Sequence, residues 1–284
     1  MNKITELFKP KTCIHRHTIR THRNCFDANG NPLLKEATVP ASLLVIDIET
    51  LPILGYFWNV WNQNIYQAMI KKDWCILSYS AKWLGDERII SDTLTTKEAI
   101  IRDDKRIVTG IWKLLEKSDV IITHNGKRFD VRKINTRFWK NGLHKPSSYK
   151  IIDTLIAARS VFGLTYNSME FIAKFIEADE KLDTEFPLWA ACDRGDKNAL
   201  LEMKEYNEQD VITQEQIYMS MREWIPNHPD LGVYQNLENV CPVCLGTNFK
   251  EIGLYTASRL QYKEYRCEDC GNVWHNSKAV KEQN

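Results

Sequence analysis

Two carboxylates, Asp47 and Glu49, stand two residues apart at the end of an apolar run, Val45-Ile-Asp-Ile-Glu-Thr50. Side chains of an extended strand alternate between faces, so this spacing sets both acids on one face. There they repel each other and lose hydration, and both stay ionised only beside a cation. Hard carboxylate oxygens favour Mg²⁺ or Mn²⁺, which fill the rest of their shell with waters and substrate phosphates. A strand ending in acids is also a common structural feature, so the pair alone is a weak signal. Two further acids strengthen it. Asp130 ends Thr123-His-Asn-Gly-Lys-Arg-Phe-Asp130, a strand-to-helix turn where a helix N-terminus favours anions and Gly126 permits close backbone approach. Asp210 ends Tyr206-Asn-Glu-Gln-Asp210, whose spacing of four puts Tyr206 and Asp210 on one helical face. Each has a structural alternative, Asp130 as a helix-start residue and Tyr206 as a half-buried aromatic. The set is more specific than its members.

Acids this far apart need a scaffold that gathers distant strands. Apolar, strand-like runs lie at 43–48, 75–80, 88–92, 119–123 and 150–152. The spacing of Ile100, Ile101, Ile107, Ile111, Leu114 and Leu115 predicts one helix over 97–117. A basic helix is expected to begin near Phe129, and another to cover Thr154–Val161 with Asp153 as its N-cap. A further helix opens at 167–170, and a long one spans 197–222 before Pro226 and Pro229. Three strands followed by alternating helix and strand predict an α/β domain with a mixed sheet. After Pro229 the helical period disappears, which places a boundary near 228–240 and leaves 276–284 as a polar tail.

The chain has 284 residues, 43 % of them hydrophobic and 26 % charged, enough for a core and for one or two domains, which excludes disorder as the main state. No run approaches the roughly 18 apolar residues of a membrane span, and the N-terminus lacks a signal-peptide core. A cytoplasmic protein without a membrane partner is therefore expected. The net charge of +1 conceals a cancellation: residues 124–150 carry eight Lys and Arg against Asp130 alone, and residues 1–40 carry a further excess of +4. Both segments suit a polyanion, although basic helices are often only solvated faces. Phe57, Trp58, Trp61, Tyr66 and Trp74 crowd the insertion between the first two strands. Core packing is the expectation for them, and a stacking platform for unpaired bases is the alternative.

In a reducing compartment the 8 cysteines are metal ligands or free thiols. Cys241-x2-Cys244 and Cys267-x2-Cys270, with 22 residues between the pairs, have zinc-ribbon spacing. Such a small module cannot bury enough apolar area to fold unaided, so structural Zn²⁺ is expected. His275 is close in sequence but four thiolates leave it unnecessary, and Arg259, Tyr262, Lys263 and Tyr265 suit contact with nucleic acid or protein. A second metal-capable cluster, Cys13, His15, His17, His22 and Cys25, matches no defined zinc spacing. A zinc-binding module and a basic, nucleic-acid-contacting arm both fit it. Cys75 and Cys192 are expected to be ordinary thiols.

Taken together, Asp47-x-Glu49, Asn125…Phe129-Asp130 and Tyr206-x3-Asp210 resemble the three motifs of the DEDD exonuclease superfamily, in the tyrosine-bearing DEDDy branch that includes the proofreading domains of DNA polymerases. The resemblance covers about residues 41–225, and the chain is also similar to stand-alone exonuclease-like proteins of bacteria and phages. It implies an RNase H-like mixed five-stranded sheet flanked by helices over 41–228, preceded by an arm or small module at 1–40 and followed by a zinc ribbon and tail at 229–284. It implies two Mg²⁺ or Mn²⁺ held by Asp47, Glu49, Asp130 and Asp210, with Asp47 bridging, and Tyr206 orienting the attacking water. Thr50, Leu51, Asn125 and Phe129 match positions that cradle the terminal nucleotide, and Lys127 and Arg128 suit its phosphates. The implied activity is 3′→5′ exonucleolysis of DNA, single-stranded by expectation, in a bacterial cell or phage-infected host, with replication or repair proteins as partners for the ribbon. The alternatives are an RNA exonuclease or structure-specific nuclease on the same site, and a nucleic-acid-binding protein with a vestigial one.

Overall fold

The computed structural model describes residues 41–179 and 184–280; the Cys13, His15, His17, His22 and Cys25 cluster lies outside the described residues. These residues divide into two compact units, one of 42–159, 164–179 and 184–217, the other of 41, 160–163 and 218–280. No helix among them is long and apolar enough to cross a membrane.

The larger unit is built on β1 (Leu43–Leu51). Leu44, Ile46 and Ile48 line one face of this strand and are at most 2 % exposed. On the other face Leu43 and Val45 give way to Asp47 and Glu49, so the strand turns from core to acid along its length. β4 (Cys75–Trp83) pairs antiparallel with β1, and β5 (Ile89–Thr93) pairs antiparallel with β4. β6 (Val120–Thr123) lies parallel to β1 on its other side, and β7 (Lys150–Asp153) parallel to β6. The result is a mixed five-stranded sheet in the order β5-β4-β1-β6-β7, the α/β class expected from the sequence. A short ribbon, β2 (Leu54–Gly55) with β3 (Ile70–Lys72), closes the insertion between β1 and β4.

The single helix expected over 97–117 is two, α1 (Thr96–Ile101) and α2 (Lys105–Leu115). Arg102 ends α1 in the left-handed region at φ 56°. Asp104, fully buried at the start of α2, accepts from the Ile76 amide at 2.9 Å and from Arg137 Nη2 at 2.6 Å. That buried pair needs Asp104 where the chain restarts, and the break leaves Ile100 and Ile101 exposed instead of in the expected apolar seam. α3 (Asp130–Lys140) follows β6, and α4 (Thr154–Val161) follows β7 within the bounds read from the sequence. α5 (Met169–Phe175) is capped by Ser168, and α6 (Phe186–Asp193), which has no amphipathic period to announce it, precedes the long α7 (Lys197–Met221).

The insertion corrects an expectation. Trp74 packs against the core, but Phe57, Trp58, Trp61 and Tyr66 are exposed, Trp58 to 94 % and Trp61 to 82 %. They sit beyond a two-stranded stem too short to enclose them.

In the smaller unit, α8 (Leu231–Gln235) precedes β8 (Phe249–Thr256), β9 (Gln261–Cys267) and β10 (Val273–Ala279), an antiparallel sheet in the order β10-β9-β8. Phe249, Tyr265 and Trp274 pack with ring centroids 5.2–5.7 Å apart as its small aromatic core.

Candidate functional site

The pleat of β1 aims Asp47 and Glu49 the same way, and α7 carries Asp210 to them. Carboxylate oxygens of Asp47, Glu49 and Asp210 lie within 4.8 Å of one another. Along α7, Met203, Asn207, Asp210, Gln214 and Ile217 recur at helical spacing, and all are at most 2 % exposed. The polar middle of this seam has defined partners in the sheet. Asn207 Nδ2 donates to Asp47 Oδ2 at 2.6 Å, and Gln214 Nε2 donates to the Ile122 carbonyl at 2.6 Å. Asn207 is thus a supporting residue that the motif reading passed over, although it lies inside Tyr206–Asp210.

Asp130 lines the same cavity without joining that trio. It is 3 % exposed, and its Oδ1 accepts from the Ile48 amide at 3.2 Å. Burial pushes its pKa up to about 7; the Asp153 charge adds to this, and the backbone hydrogen bonds oppose it. Asp153 holds the turn before Asp130 from below. Its Oδ1 accepts from the amides of Asn125 (3.0 Å) and Ile156 (3.3 Å), and its Oδ2 from that of Lys127 (3.0 Å). The Ile156 bond is the expected helix cap. The other two fix a turn in which Asn125 is left-handed at φ 69° and a Cβ at Gly126 would overlap the Thr123 side chain.

The acids open on a cavity of about 630 Å³, also lined by Asn125, Phe129, His124, Arg159 and Tyr166, a volume within the range of small-molecule sites. Nothing in the sequence reading pointed to His124, Arg159 or Tyr166. His124 is set by Thr154 Oγ1 at 2.9 Å and the Asn167 carbonyl at 3.1 Å. Of the other expected contacts, Lys127 and Arg128 are exposed but not in the cavity wall, Thr50 is half-buried, and Leu51 is fully buried in the core. Tyr206 is 6 % exposed, outside the cavity wall, with its ring edge-on to Trp189 at 6.1 Å. The basic stretch is also divided. Arg137 is consumed by Asp104, and Lys133 Nζ lies 3.7 Å from the Trp74 ring centroid and 5.5 Å from that of Phe129. Lys127, Arg128, Arg132, Lys140, Lys145 and Lys150 are exposed.

Three carboxylates this close repel unless protons or a cation sit among them, so the donor set fits a hard divalent ion. In the smaller unit the Sγ atoms of Cys241, Cys244, Cys267 and Cys270 lie within 4.8 Å of one another, two pairs at 3.6 Å. A tetrahedron of Zn–S bonds of about 2.3 Å has edges of about 3.8 Å, so these thiols fit Zn²⁺. Backbone turns shape both pairs. The Cys241 amide bonds Gly246 O and the Cys267 amide bonds Asn272 O, each at 2.9 Å. Burial holds the Cys244 thiol up at about 11 without a metal. Cys75 and Cys192 are buried in the core of the larger unit, and burial raises each thiol to about 12, as suits inert thiols.

The RNase_H_2 family profile, described as RNase_H superfamily, matches residues 46–222. No curated protein matches the chain significantly. A similar solved structure is the family B DNA polymerase from the hyperthermophilic archaeon Pyrobaculum calidifontis, with 16 % identity over 68 % of this chain and a TM-score of 0.48. The chain spans about a quarter of that polymerase, 25 % of its length.

Proposed function

We infer that this chain, which belongs to the RNase H superfamily through the RNase_H_2 family, is a metal-dependent 3′→5′ exonuclease acting on single-stranded DNA. The family supports an enzyme that acts on nucleic acid. The observation that carries the finer reading is the meeting of Asp47, Glu49 and Asp210 at the cavity that Asp130 also lines. The polarity rests on the likeness of the three motifs to the DEDDy pattern. Asp47, Glu49, Asp130 and Asp210 would hold two Mg²⁺ or Mn²⁺, which when bound activate water for attack on the terminal phosphodiester and stabilise the leaving 3′ oxygen.

The chain's own residues do the positioning. Asn207 fixes the orientation of Asp47, and the Asp153 clamp sets the turn that delivers Asp130, Asn125 and Phe129. Asn125 and Phe129 offer an amide and a ring face to the terminal nucleotide, and Arg159 supplies a cation in the same cavity. A phenol, whose unperturbed pKa is near 10, is a poor base at neutral pH, so Tyr206 serves to position groups around Asp210 and not as a base. In this reading residues 41–228 form the catalytic domain, and 229–284 the zinc ribbon that meets nucleic acid or replication and repair proteins.

The test is a gel time course on 5′-labelled single-stranded DNA and RNA of one sequence, with Mg²⁺, Mn²⁺ or EDTA, using wild type beside Asp47→Ala. The expected result is a metal-dependent ladder shortening from the 3′ end on DNA, abolished by Asp47→Ala while DNA binding persists. A ladder on RNA alone would reassign the substrate, and undiminished cleavage by Asp47→Ala would overturn the site.

A further inference from the structure

We propose that the hairpin of residues 52–74 is a stacking surface for the unpaired nucleic-acid strand that leads into the acidic cavity, an inference that rests on the nuclease reading above.

Tyr56, Phe57, Trp58, Trp61 and Tyr66 are each between 54 % and 94 % exposed on this one short segment. Single exposed aromatics are ordinary, but five side by side on a loop that buries none of them are a surface with a use. Their chemistry selects the occupant. From Pro52 to Lys72 there is no acidic residue, while Lys71 is basic and Asn59, Asn62, Gln63 and Asn64 supply neutral hydrogen-bonding groups; the Lys72 ammonium is held by the Ile100 carbonyl at 3.1 Å and Asp193 at 3.8 Å. Lys71 Nζ stands 5.5 Å from the Tyr56 ring centroid. Ring faces interleaved with amides and cations suit bases strung on phosphates, and stacking on them tolerates any sequence.

Position points the same way. The hairpin is the direct continuation of β1, which carries Asp47 and Glu49, and it returns to the sheet at Trp74. There the Lys133 ammonium lies over Trp74 and beside Phe129, and Phe129 lines the cavity. Rings and a cation therefore run from the hairpin's base to the cavity wall, on the path a bound strand would follow.

The surface is also held in shape before any strand arrives. Gln63 Oε1 accepts from the amides of Trp58 (3.0 Å) and Asn59 (2.8 Å), and the Tyr56 amide bonds Met69 O at 2.9 Å. A Cβ on Gly55 would stand 2.8 Å from Met69 O, so only glycine allows that crossing. At the base, Arg102 Nη1 donates to the carbonyls of Pro52 (2.7 Å) and Asp73 (2.6 Å). A preformed platform gives up less conformational freedom on binding.

The experiment is fluorescence anisotropy of a labelled 20-nucleotide oligo-dT with the zinc-loaded full chain and no added Mg²⁺ or Mn²⁺, where cleavage is off, comparing wild type with Trp58→Ala/Trp61→Ala. At a stacking contribution of about 1 kcal/mol or more per ring, the pair of changes should weaken binding by about 30-fold or more. Far-UV circular dichroism confirms that both proteins are folded. Trp58→Leu/Trp61→Leu, which keeps apolar area and removes the π faces, should be as weak as the alanine variant, and Trp58→Phe/Trp61→Phe should recover most of the affinity. Equal affinities for wild type and the alanine variant, or no binding by wild type, would overturn the proposal. So would a change confined to sedimentation mass, or to binding of phosphatidylserine vesicles, since the face would then serve self-association or a lipid surface. Hairpin-dependent binding without metal-dependent cleavage in the gel assay would uphold the stacking surface and sink the nuclease reading.

Discussion

Asp153→Ala is the substitution whose cost the structure defines most fully. The Asp153 carboxylate, 5 % exposed, takes three backbone amides: Asn125 and Ile156 on Oδ1, Lys127 on Oδ2. Alanine leaves all three donors without their acceptor. A hydrogen bond to a charged group contributes about 1.5–3 kcal/mol, and a donor that regains water recovers part of that. The amides of a surface turn can rehydrate, so about 1 kcal/mol each is the floor, and a loss of about 3–5 kcal/mol in unfolding free energy is expected. Asp153→Asn separates the three bonds. Its one oxygen can still serve Asn125 and Ile156, but its NH₂ then faces the Lys127 amide, donor against donor. Its cost should be intermediate, at about 1–2 kcal/mol. Urea unfolding followed by tryptophan fluorescence measures both. Cleavage by Asp153→Asn should fall as well, because the clamped turn delivers Asn125, Phe129 and Asp130. A loss below 1 kcal/mol for Asp153→Ala, or equal losses for the two variants, would refute the clamp.

Asp130→Asn in metal-free protein tests burial of the acid. With its pKa raised from 3.8 to about 7, wild type keeps this contribution in full only below pH ~3.8 and loses it as pH rises to about 7. Between pH 5 and pH 8 wild type should lose about 3 kcal/mol relative to Asp130→Asn, and parallel urea-unfolding stabilities across that range would contradict the assignment. Cys241→Ser/Cys267→Ser should release zinc and loosen β8–β10; unchanged zinc by elemental analysis would refute the ribbon.

What could be read along the chain was whatever local geometry decides. The alternation of an extended backbone is a property of neighbouring residues, so 43–48 announced a strand and Asp47 and Glu49 a shared face. The Thr154–Val161 helix and the paired Cys-x2-Cys turns were legible for the same reason. What only the tertiary structure decided were meetings between residues far apart in sequence. Asn207 reaches Asp47 across 160 positions, and Asp153 holds a turn 26 to 28 residues before it. Arg137 had the look of a phosphate contact until Asp104 claimed it, and that pairing also explains why one expected helix became two. The aromatics of the insertion carry the composition of a core, yet a core exists only where another element covers it. Hydrophobicity states what a side chain would gain by burial; whether anything arrives to bury it depends on the path of the whole chain.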